Sequence, residues 1–280
     1  MEFSDDYEHP STDAKLIYTP ENIPTKSTKH KFEEFTSGCK CMTLCRVQHE
    51  CSCLRNFLNY DYDFFTSEDN LQSMHENYTL LKRDMPIYEC NQNCLCSQYC
   101  GNRLVQYGPR KNLKIVPFDN NSKEKLKSKG AGLFTTAIIK KGNFVCEYAG
   151  EIISSQEANK RFKTQEKQKL MNYIFFVNET FGTNIIKTFV DPSIFGNIGR
   201  YINHSCDPNC EVIPVRVDNV IPKLCIFATK DINVDEEITF DYGDGQLGFC
   251  PLDQTVNKKK KCLCDFVNCR KYLPFCKETE

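Results

Sequence analysis

The chain has 280 residues, of which 40% are hydrophobic, and its formal net charge at pH 7 is -1. This length and composition predict a globular protein with one sizeable domain and smaller modules, and they argue against a disordered chain. The near-zero charge excludes a chain-wide attraction to nucleic acid. Such contact would need a local patch such as residues 258–261, KKKK, although a run of this kind is more often a solvated loop.

The 18 cysteines would predict disulfide bonds in a secreted protein. However, the N-terminal stretch MEFSDDYEHPSTDAK lacks the basic start and the apolar run of a signal peptide. We therefore expect a reducing compartment in which the thiols stay free. No stretch approaches the roughly 18 apolar residues of a membrane span, so we expect no membrane partner.

Residues 1–35 are rich in Pro, Thr, Lys and Asp, which is typical of a flexible arm or of an extended strap on the body. The central zone, at about 112–247, consists mainly of short β-type runs separated by Gly, Pro and Asn. These runs are LKIVPF, NFVCEYAGEII, NYIFFV, KTFVD, VIPVRV, KLCIFA and EITF. One surface helix is expected from the capping pattern SSQE at 154–157 to about Leu170. The sequence thus predicts a mostly β fold.

Nine cysteines form two tight groups, C39-x-C41-x3-C45-x5-C51-x-C53 and C90-x3-C94-x-C96-x3-C100. Thiolates are preferred zinc ligands, and each structural zinc takes four of them in a tetrahedron. Three zincs need twelve ligand positions, which nine cysteines supply if three of them bridge two metals. The alternative is two separate four-cysteine sites with one spare cysteine. In either case this zone should fold around metal rather than around an apolar core.

A third group, C262-x-C264-x4-C269, offers only three regularly spaced thiols, so a fourth ligand must come from elsewhere. Cys206 is one candidate, because a zinc shared with it would close the C-terminal segment over the middle of the protein. Its rivals are Cys210, Cys250 and Cys276. Two further cysteines lie inside apolar runs and are expected to be small core residues, Cys146 and Cys225.

The stretch RYINHSCDPNC, residues 200–210, combines Arg, Asn, His and Cys in a way that fits a hydrogen-bonded loop, a metal site or a cofactor pocket. Its surroundings favour one family. In chain order the sequence contains the nine-cysteine group, CGNRLVQ, GAGLF, RYINHSCDPN, EITFDYG and the third cysteine group. This order resembles that of the SET-domain lysine methyltransferases, in the branch with flanking cysteine-rich modules typified by Su(var)3-9. Two longer runs, FVDPSIFGNIGRYINHSC and VIPVRVDNVIPKL, are more similar to the members fused to a transposase.

The resemblance covers about residues 36–276 and implies a SET-domain fold. This fold is mostly β, with small β-sheets, a knot-like C-terminal crossing and flanking zinc-cysteine modules. The implied organisation is a flexible N-terminal arm at 1–35, a three-zinc pre-SET module at 36–108, the SET catalytic domain at 109–245 and a post-SET zinc loop at 246–280.

The resemblance also implies chemistry: methyl transfer from S-adenosylmethionine to a lysine ε-amine, with four structural zincs. The implied catalytic residues are Tyr242, Tyr148 and Phe240, although Tyr148 alone would be read as core packing. The implied cofactor-binding residues are Lys129, Gly130, Ala131, Gly132, Tyr173, Arg200, Asn203 and His204. Cys206 becomes the fourth ligand of the tail zinc. The implied metal ligands are Cys39, Cys41, Cys45, Cys51, Cys53, Cys90, Cys94, Cys96, Cys100, Cys206, Cys262, Cys264 and Cys269.

One position departs from the family pattern, because Ala131 stands where Trp is usual and the chain contains no Trp. The implied substrate is the histone H3 tail, at lysine nine or, by the closer similarity, at lysine thirty-six or four. Phe240 leaves more room than Tyr would, which favours di- or trimethylation. We expect a nuclear, chromatin-bound protein that relies on other chromatin proteins for targeting. The rival interpretations are a non-catalytic chromatin scaffold and a zinc-dependent nucleic-acid binder, and the near-zero charge disfavours the second.

Overall fold

The computed structural model describes residues 16–55, 57–61, 76–81, 86–117, 130–168, 170–243 and 260–274. Within these ranges the protein is mostly β, as the sequence predicted. The strands before the middle of the chain are β1 (Ile17–Tyr18), β2 (Ile23–Pro24), β3 (Tyr60–Asp61), β4 (Thr79–Leu80), β5 (Ile87–Tyr88), β6 (Leu113–Pro117) and β7 (Ala131–Thr135). The later strands are β8 (Phe144–Tyr148), β9 (Gly150–Ile153), β10 (Phe175–Phe181), β11 (Asn184–Gly196), β12 (Asn203–His204), β13 (Cys210–Arg216), β14 (Lys223–Ala228) and β15 (Thr239–Phe240).

The described helices are α1 (Lys29–Phe32) and α2 (Ser155–Gln168), with 3₁₀ turns at Val47–His49, Val105–Tyr107 and Ile198–Tyr201. Neither α-helix in the described part of the chain has the length and apolar character required to cross a bilayer. Helix α2 corresponds to the predicted surface helix. Its first turn is capped by Ser154, whose hydroxyl accepts a hydrogen bond from the Glu157 N–H at 3.3 Å.

The first sheet has the order β1-β11-β9-β2, and β10 also pairs with β11. The N-terminal strands β1 and β2 each add in parallel, to β11 and β9 respectively. Just after β2, the Thr28 hydroxyl donates to the Ile152 carbonyl at 2.8 Å. Residues 17–24 of the predicted arm therefore lie along the body as an extended segment, held by backbone pairing.

The second sheet has the order β12-β15-β13-β14-β8, and β5 also pairs with β13. Every residue of β8 is buried, and so are five of the six residues of β14. Such continuously buried strands belong in the middle of a domain, where both faces are covered. Their side chains divide between two hydrophobic clusters, and the larger cluster contains Tyr148 of β8 together with Phe175 and Phe240.

Strand β15 lies between β12 and β13, so the loop that joins those two strands, residues 205–209, crosses over it. The crossing is fixed by hydrogen bonds. The Ser205 N–H donates to the Phe240 carbonyl at 3.2 Å, and the Asn209 side chain accepts from the Thr239 N–H at 2.9 Å. The Asn209 amide also donates to the Glu237 carbonyl at 2.8 Å. This is the knot-like crossing that the resemblance implied.

A buried carboxylate, that of Glu89, links three segments of the cysteine-rich region. Glu89 accepts hydrogen bonds from the backbone N–H groups of Leu104 and Val105, each at 2.8 Å. It also accepts from the Tyr60 hydroxyl at 2.7 Å and from the Gln106 amide at 2.8 Å. Burial raises the pKa of Glu89 and these donors oppose that shift. The carboxylate thus fixes the chain beside Cys90.

Candidate active site

Four aromatic side chains meet where β8, β10 and β15 converge, and we refer to Tyr148, Phe175, Phe240 and Tyr242 as the aromatic cluster. The Phe240 ring centroid lies 6.0 Å from that of Tyr148, 5.2 Å from that of Phe175 and 5.0 Å from that of Tyr242. Tyr148 and Phe175 meet edge to face at 5.9 Å. The structure therefore brings the three predicted catalytic residues together.

Tyr242 is held at both its backbone and its side chain. Its hydroxyl donates to the Ile202 carbonyl at 2.9 Å, and its N–H donates to His204 Nδ1 at 3.2 Å. Burial raises the pKa of the Tyr242 phenol and raises that of Tyr148 well above its ordinary value. Both phenols are therefore protonated at neutral pH, and they act through hydrogen bonds rather than as anionic bases.

Tyr173 and Arg200 line one side of the aromatic cluster. The Tyr148 hydroxyl donates to the Tyr173 carbonyl at 2.5 Å, and the Arg200 guanidinium lies 4.3 Å from the centre of the Tyr173 ring. Arg200 also donates through Nε to the Pro192 carbonyl at 3.1 Å. Tyr173 therefore contacts Tyr148, and Arg200 packs on Tyr173. Both are predicted cofactor-binding residues.

The glycine turn predicted to bind the cofactor borders Asn203. The Asn203 amide donates to the Ala131 carbonyl at 3.1 Å and to the Glu237 carboxylate at 2.8 Å. Gly130 has φ +78°, and a Cβ at this position would meet no atom of a described residue within 4 Å. Such a turn favours glycine and leaves space beside the backbone, which fits the close approach of a ligand. The predicted contact Lys129 lies outside the described residues.

His204 connects the aromatic cluster to the tail cysteines. Its Nδ1 accepts the Tyr242 N–H, and its Nε2 lies 3.4 Å from the Cys206 sulfur. Burial is the largest influence on its imidazole and lowers the pKa of His204 to about 4. The ring is therefore neutral at physiological pH, which lets Nδ1 act as the acceptor.

The tail segment, residues 260–274, brings its three cysteines to Cys206. The sulfurs of Cys206, Cys262, Cys264 and Cys269 all lie within 4.8 Å of one another, with 3.7 Å between Cys206 and Cys262. A tetrahedral zinc with Zn–S bonds of about 2.3 Å places its sulfurs roughly 3.8 Å apart. The four thiols therefore fit zinc. Of the rivals to Cys206, Cys210 is buried in β13, whereas Cys250 and Cys276 lie outside the described residues.

All nine cysteines of the first two groups converge in one cluster. Neighbouring sulfurs are 3.4 Å apart for Cys39 and Cys45, 3.4 Å for Cys45 and Cys90, and 3.6 Å for Cys53 and Cys94. Three overlapping sets have metal-binding geometry: Cys39, Cys41, Cys45, Cys51; Cys39, Cys45, Cys90, Cys96; and Cys39, Cys53, Cys90, Cys94. Because the sets share members, shared thiolates fit this zone better than isolated sites.

Three residues at the site did not come from sequence reasoning. Phe175 follows Tyr173 by two positions, and the two-residue period of a strand was the available signal for it. Asp241 and Arg270 contact each other, with Arg270 Nη2 lying 2.7 Å from both carboxylate oxygens. They are 29 residues apart in the sequence, so no local sequence pattern predicts that they make contact.

A family model described as "SET domain" matches residues 130–243, and one described as "Pre-SET motif" matches residues 2–103. The histone-lysine N-methyltransferase SETMAR of Bos taurus is 35% identical over 265 residues, which are 92% of this chain and 81% of that protein. The Homo sapiens SETMAR protein is 37% identical over 94% of this chain, but the chain spans only 37% of its length.

Two solved structures are similar over nearly the whole chain. The methyltransferase domain of human SETMAR superimposes with a TM-score of 0.72 at 34% identity, covering 98% of this chain and 93% of that one. Arabidopsis thaliana SUVH6, solved in complex with SAM, gives a TM-score of 0.68 at 25% identity, covering 96% of this chain and 52% of that one.

Proposed function

Because this chain belongs to the SET-domain histone-lysine N-methyltransferases, whose reaction is S-adenosylmethionine-dependent lysine methylation, we propose that it methylates a lysine of the histone H3 tail. The observation that carries the proposal is the aromatic cluster beside the crossing loop, where Tyr242 is held by Ile202 and His204. We place the protein at chromatin in the nucleus, where this substrate occurs.

The aromatic cluster prepares the substrate amine. A free lysine has a pKa of about 10.4 and must lose its proton before its nitrogen can attack a methyl group. An enclosure of aromatic rings disfavours the charged amine through desolvation, while the ring faces still tolerate a partial positive charge. When bound, S-adenosylmethionine supplies an electrophilic methyl group, whose bond to sulfur breaks as its bond to the lysine nitrogen forms.

Tyr242 orients that amine. Its hydroxyl hydrogen is committed to the Ile202 carbonyl, so the phenolic oxygen offers its acceptor capacity to an N–H of the lysine. Accepting one N–H turns the nitrogen lone pair in a defined direction, which is the positioning that an in-line transfer needs. Tyr148, held through the Tyr173 carbonyl, forms the opposite wall.

We assign the cofactor pocket to the residues around the crossing. The donor would be held by the backbone of residues 130–132, by Asn203 and His204, and by the Tyr173–Arg200 pair. Three observations support the assignment: the open side of the Gly130 turn, the Asn203 contact with Ala131, and the stacking of Arg200 on Tyr173. The SAM-bound SUVH6 structure provides independent support.

We assign the metals as four structural zincs. One is held by Cys206 and the three tail cysteines, and three lie in the nine-cysteine cluster. Cys39, Cys45 and Cys90 recur among the overlapping sets, so we assign them as the bridging thiolates. Cys100 replaces Cys39 in the second set, beside Cys45, Cys90 and Cys96, so that each bridging thiolate binds two zincs; its sulfur accepts from the Cys45 N–H at 3.4 Å. Since every position is filled by protein sulfur, these zincs are structural.

The site of methylation is tested by mass spectrometry of recombinant histone H3 after incubation with the protein and S-adenosylmethionine. We expect modification of lysine nine, and modification of lysine thirty-six or four would assign the chain to the alternative specificity. Absence of methylation, from protein that carries its zinc and binds S-adenosylmethionine, would exclude H3 as the substrate. Failure to bind S-adenosylmethionine would instead favour the non-catalytic scaffold.

The same assay tests the number of methyl groups. The Phe240 ring centroid lies within 6.0 Å of those of the other three rings of the aromatic cluster, so a hydroxyl added to this ring narrows the space that we assign to the substrate amine. We expect Phe240→Tyr to shift the product from di- or trimethyl-lysine to monomethyl-lysine, with first-methyl transfer retained. Phe176→Tyr is the matched control, because Phe176 packs on Phe189 in a separate cluster. An unchanged methyl distribution in Phe240→Tyr would contradict this role.

A further inference from the structure

An ion pair joins the tail segment to the residue that precedes Tyr242. Arg270 Nη2 lies 2.7 Å from both carboxylate oxygens of Asp241, and the Arg270 N–H lies 3.4 Å from the Cys206 sulfur. The two side chains are 36% and 23% exposed, so the pair is partly sheltered. Charge-assisted contacts of this length are directional and fix the relative placement of two segments.

The Asp241 carboxylate contacts the backbone that follows Tyr242 and the imidazole that accepts the Tyr242 N–H. One of its oxygens accepts the Gly243 N–H at 2.9 Å and lies 3.5 Å from His204 Nδ1. His204 Nδ1 in turn accepts the Tyr242 N–H. The Asp241 carboxylate therefore connects Arg270 of the tail to the Gly243 N–H and to His204, the two groups that fix the position of Tyr242.

The geometry points to Arg270 as a positioning residue. Through Asp241 it holds the tail segment against the residues next to Tyr242, and it keeps the Tyr242 hydroxyl aligned with the substrate amine. This inference rests on the proposed function. Arg270 acts through Asp241 and, since its Nη2 also lies 3.4 Å from His204 Nε2, through the imidazole that accepts the Tyr242 N–H. Partly exposed ion pairs add little to global stability, but small displacements at a reacting centre strongly reduce the rate. Its removal should therefore affect turnover far more than folding.

Steady-state kinetics with an H3 peptide test the inference first. We expect Arg270→Ala to lower kcat about tenfold, with a smaller change in the KM for S-adenosylmethionine, and Arg270→Lys to restore part of the loss. The double variant that carries both Arg270→Asp and Asp241→Arg should be more active than either single variant, because opposite charges again face each other. Lys230→Ala is the matched control, since Lys230 pairs with Asp207 on the surface next to the tail residue Phe266.

Hydrogen exchange provides a readout that does not require methylation. Residues 260–274 should exchange several-fold faster in Arg270→Ala than in the parent protein or in Lys230→Ala, at an unchanged zinc count by native mass spectrometry. If the parent protein failed to methylate H3, this experiment would still decide whether Arg270 holds the tail. Unchanged exchange in Arg270→Ala, or faster exchange only together with loss of a zinc, would overturn the inference.

Discussion

Tyr242→Phe should lower kcat for lysine methylation by about 10²-fold or more, because it removes the oxygen that orients the substrate amine. The ring and its contacts with Phe240 and His204 remain in the variant, so binding of S-adenosylmethionine should change little. Single-turnover methylation of histone H3, followed by mass spectrometry, measures the expected loss.

Tyr60→Phe is the matched control for Tyr242→Phe. Tyr60 is also a buried tyrosine whose hydroxyl donates a hydrogen bond, in this case to Glu89 in the region beside the cysteine cluster. Its removal should lower the melting temperature without a comparable loss of kcat. If both variants lost activity in proportion to their stability, the catalytic role of the Tyr242 hydroxyl would be refuted.

Native mass spectrometry should find four zincs per chain, and a strong chelator should unfold the nine-cysteine region. Every buried member of that hydrophobic cluster is a cysteine except Leu54, so few apolar contacts remain without metal. Chelation should also abolish methylation, because the tail segment would no longer be held at Cys206. Three zincs, two in the nine-cysteine region and one at the tail, would contradict the shared-thiolate cluster.

Single cysteine variants separate bridging from terminal ligands. Cys90→Ser should release at least two zincs, because we assign Cys90 to two sites. Cys264→Ser should release one and leave the nine-cysteine cluster intact. Cys225→Ala is the control, because Cys225 is fully buried in β14 among apolar residues and should leave the zinc count at four. Equal zinc loss in Cys90→Ser and Cys264→Ser would argue against bridging.

The strands and the surface helix could be predicted because their signals are local. Apolar runs such as KLCIFA correspond to a buried strand, and the SSQE pattern marks the start of helix α2. The pairing of residues 17–18 and 23–24 with the first sheet had no such signal, because strands of two residues have no measurable periodicity.

The ligands of the tail metal site could be predicted only in part from the sequence. The spacing of the three tail cysteines predicted a zinc with one ligand missing, but spacing could not choose among four candidates for that ligand. The choice depends on the crossing of loop 205–209 over β15, which brings Cys206 to within 3.7 Å of Cys262, 56 residues further along the chain. Tertiary contacts of this separation, like the Arg270–Asp241 pair, are absent from local patterns.

The crossing also sets the order in which the protein can become active during its synthesis. Among the described strands, β12 pairs with β15, which the ribosome produces 36 residues later. Until residues 239–243 have emerged, the loop at 205–209 has nothing to close over, and Tyr242 does not yet exist. Domains generally fold as units once their last elements are available. A nascent chain therefore acquires its aromatic cluster only after Tyr242 has been added and its tail zinc site only after Cys269 has been added, and chains that stop before these residues stay inactive.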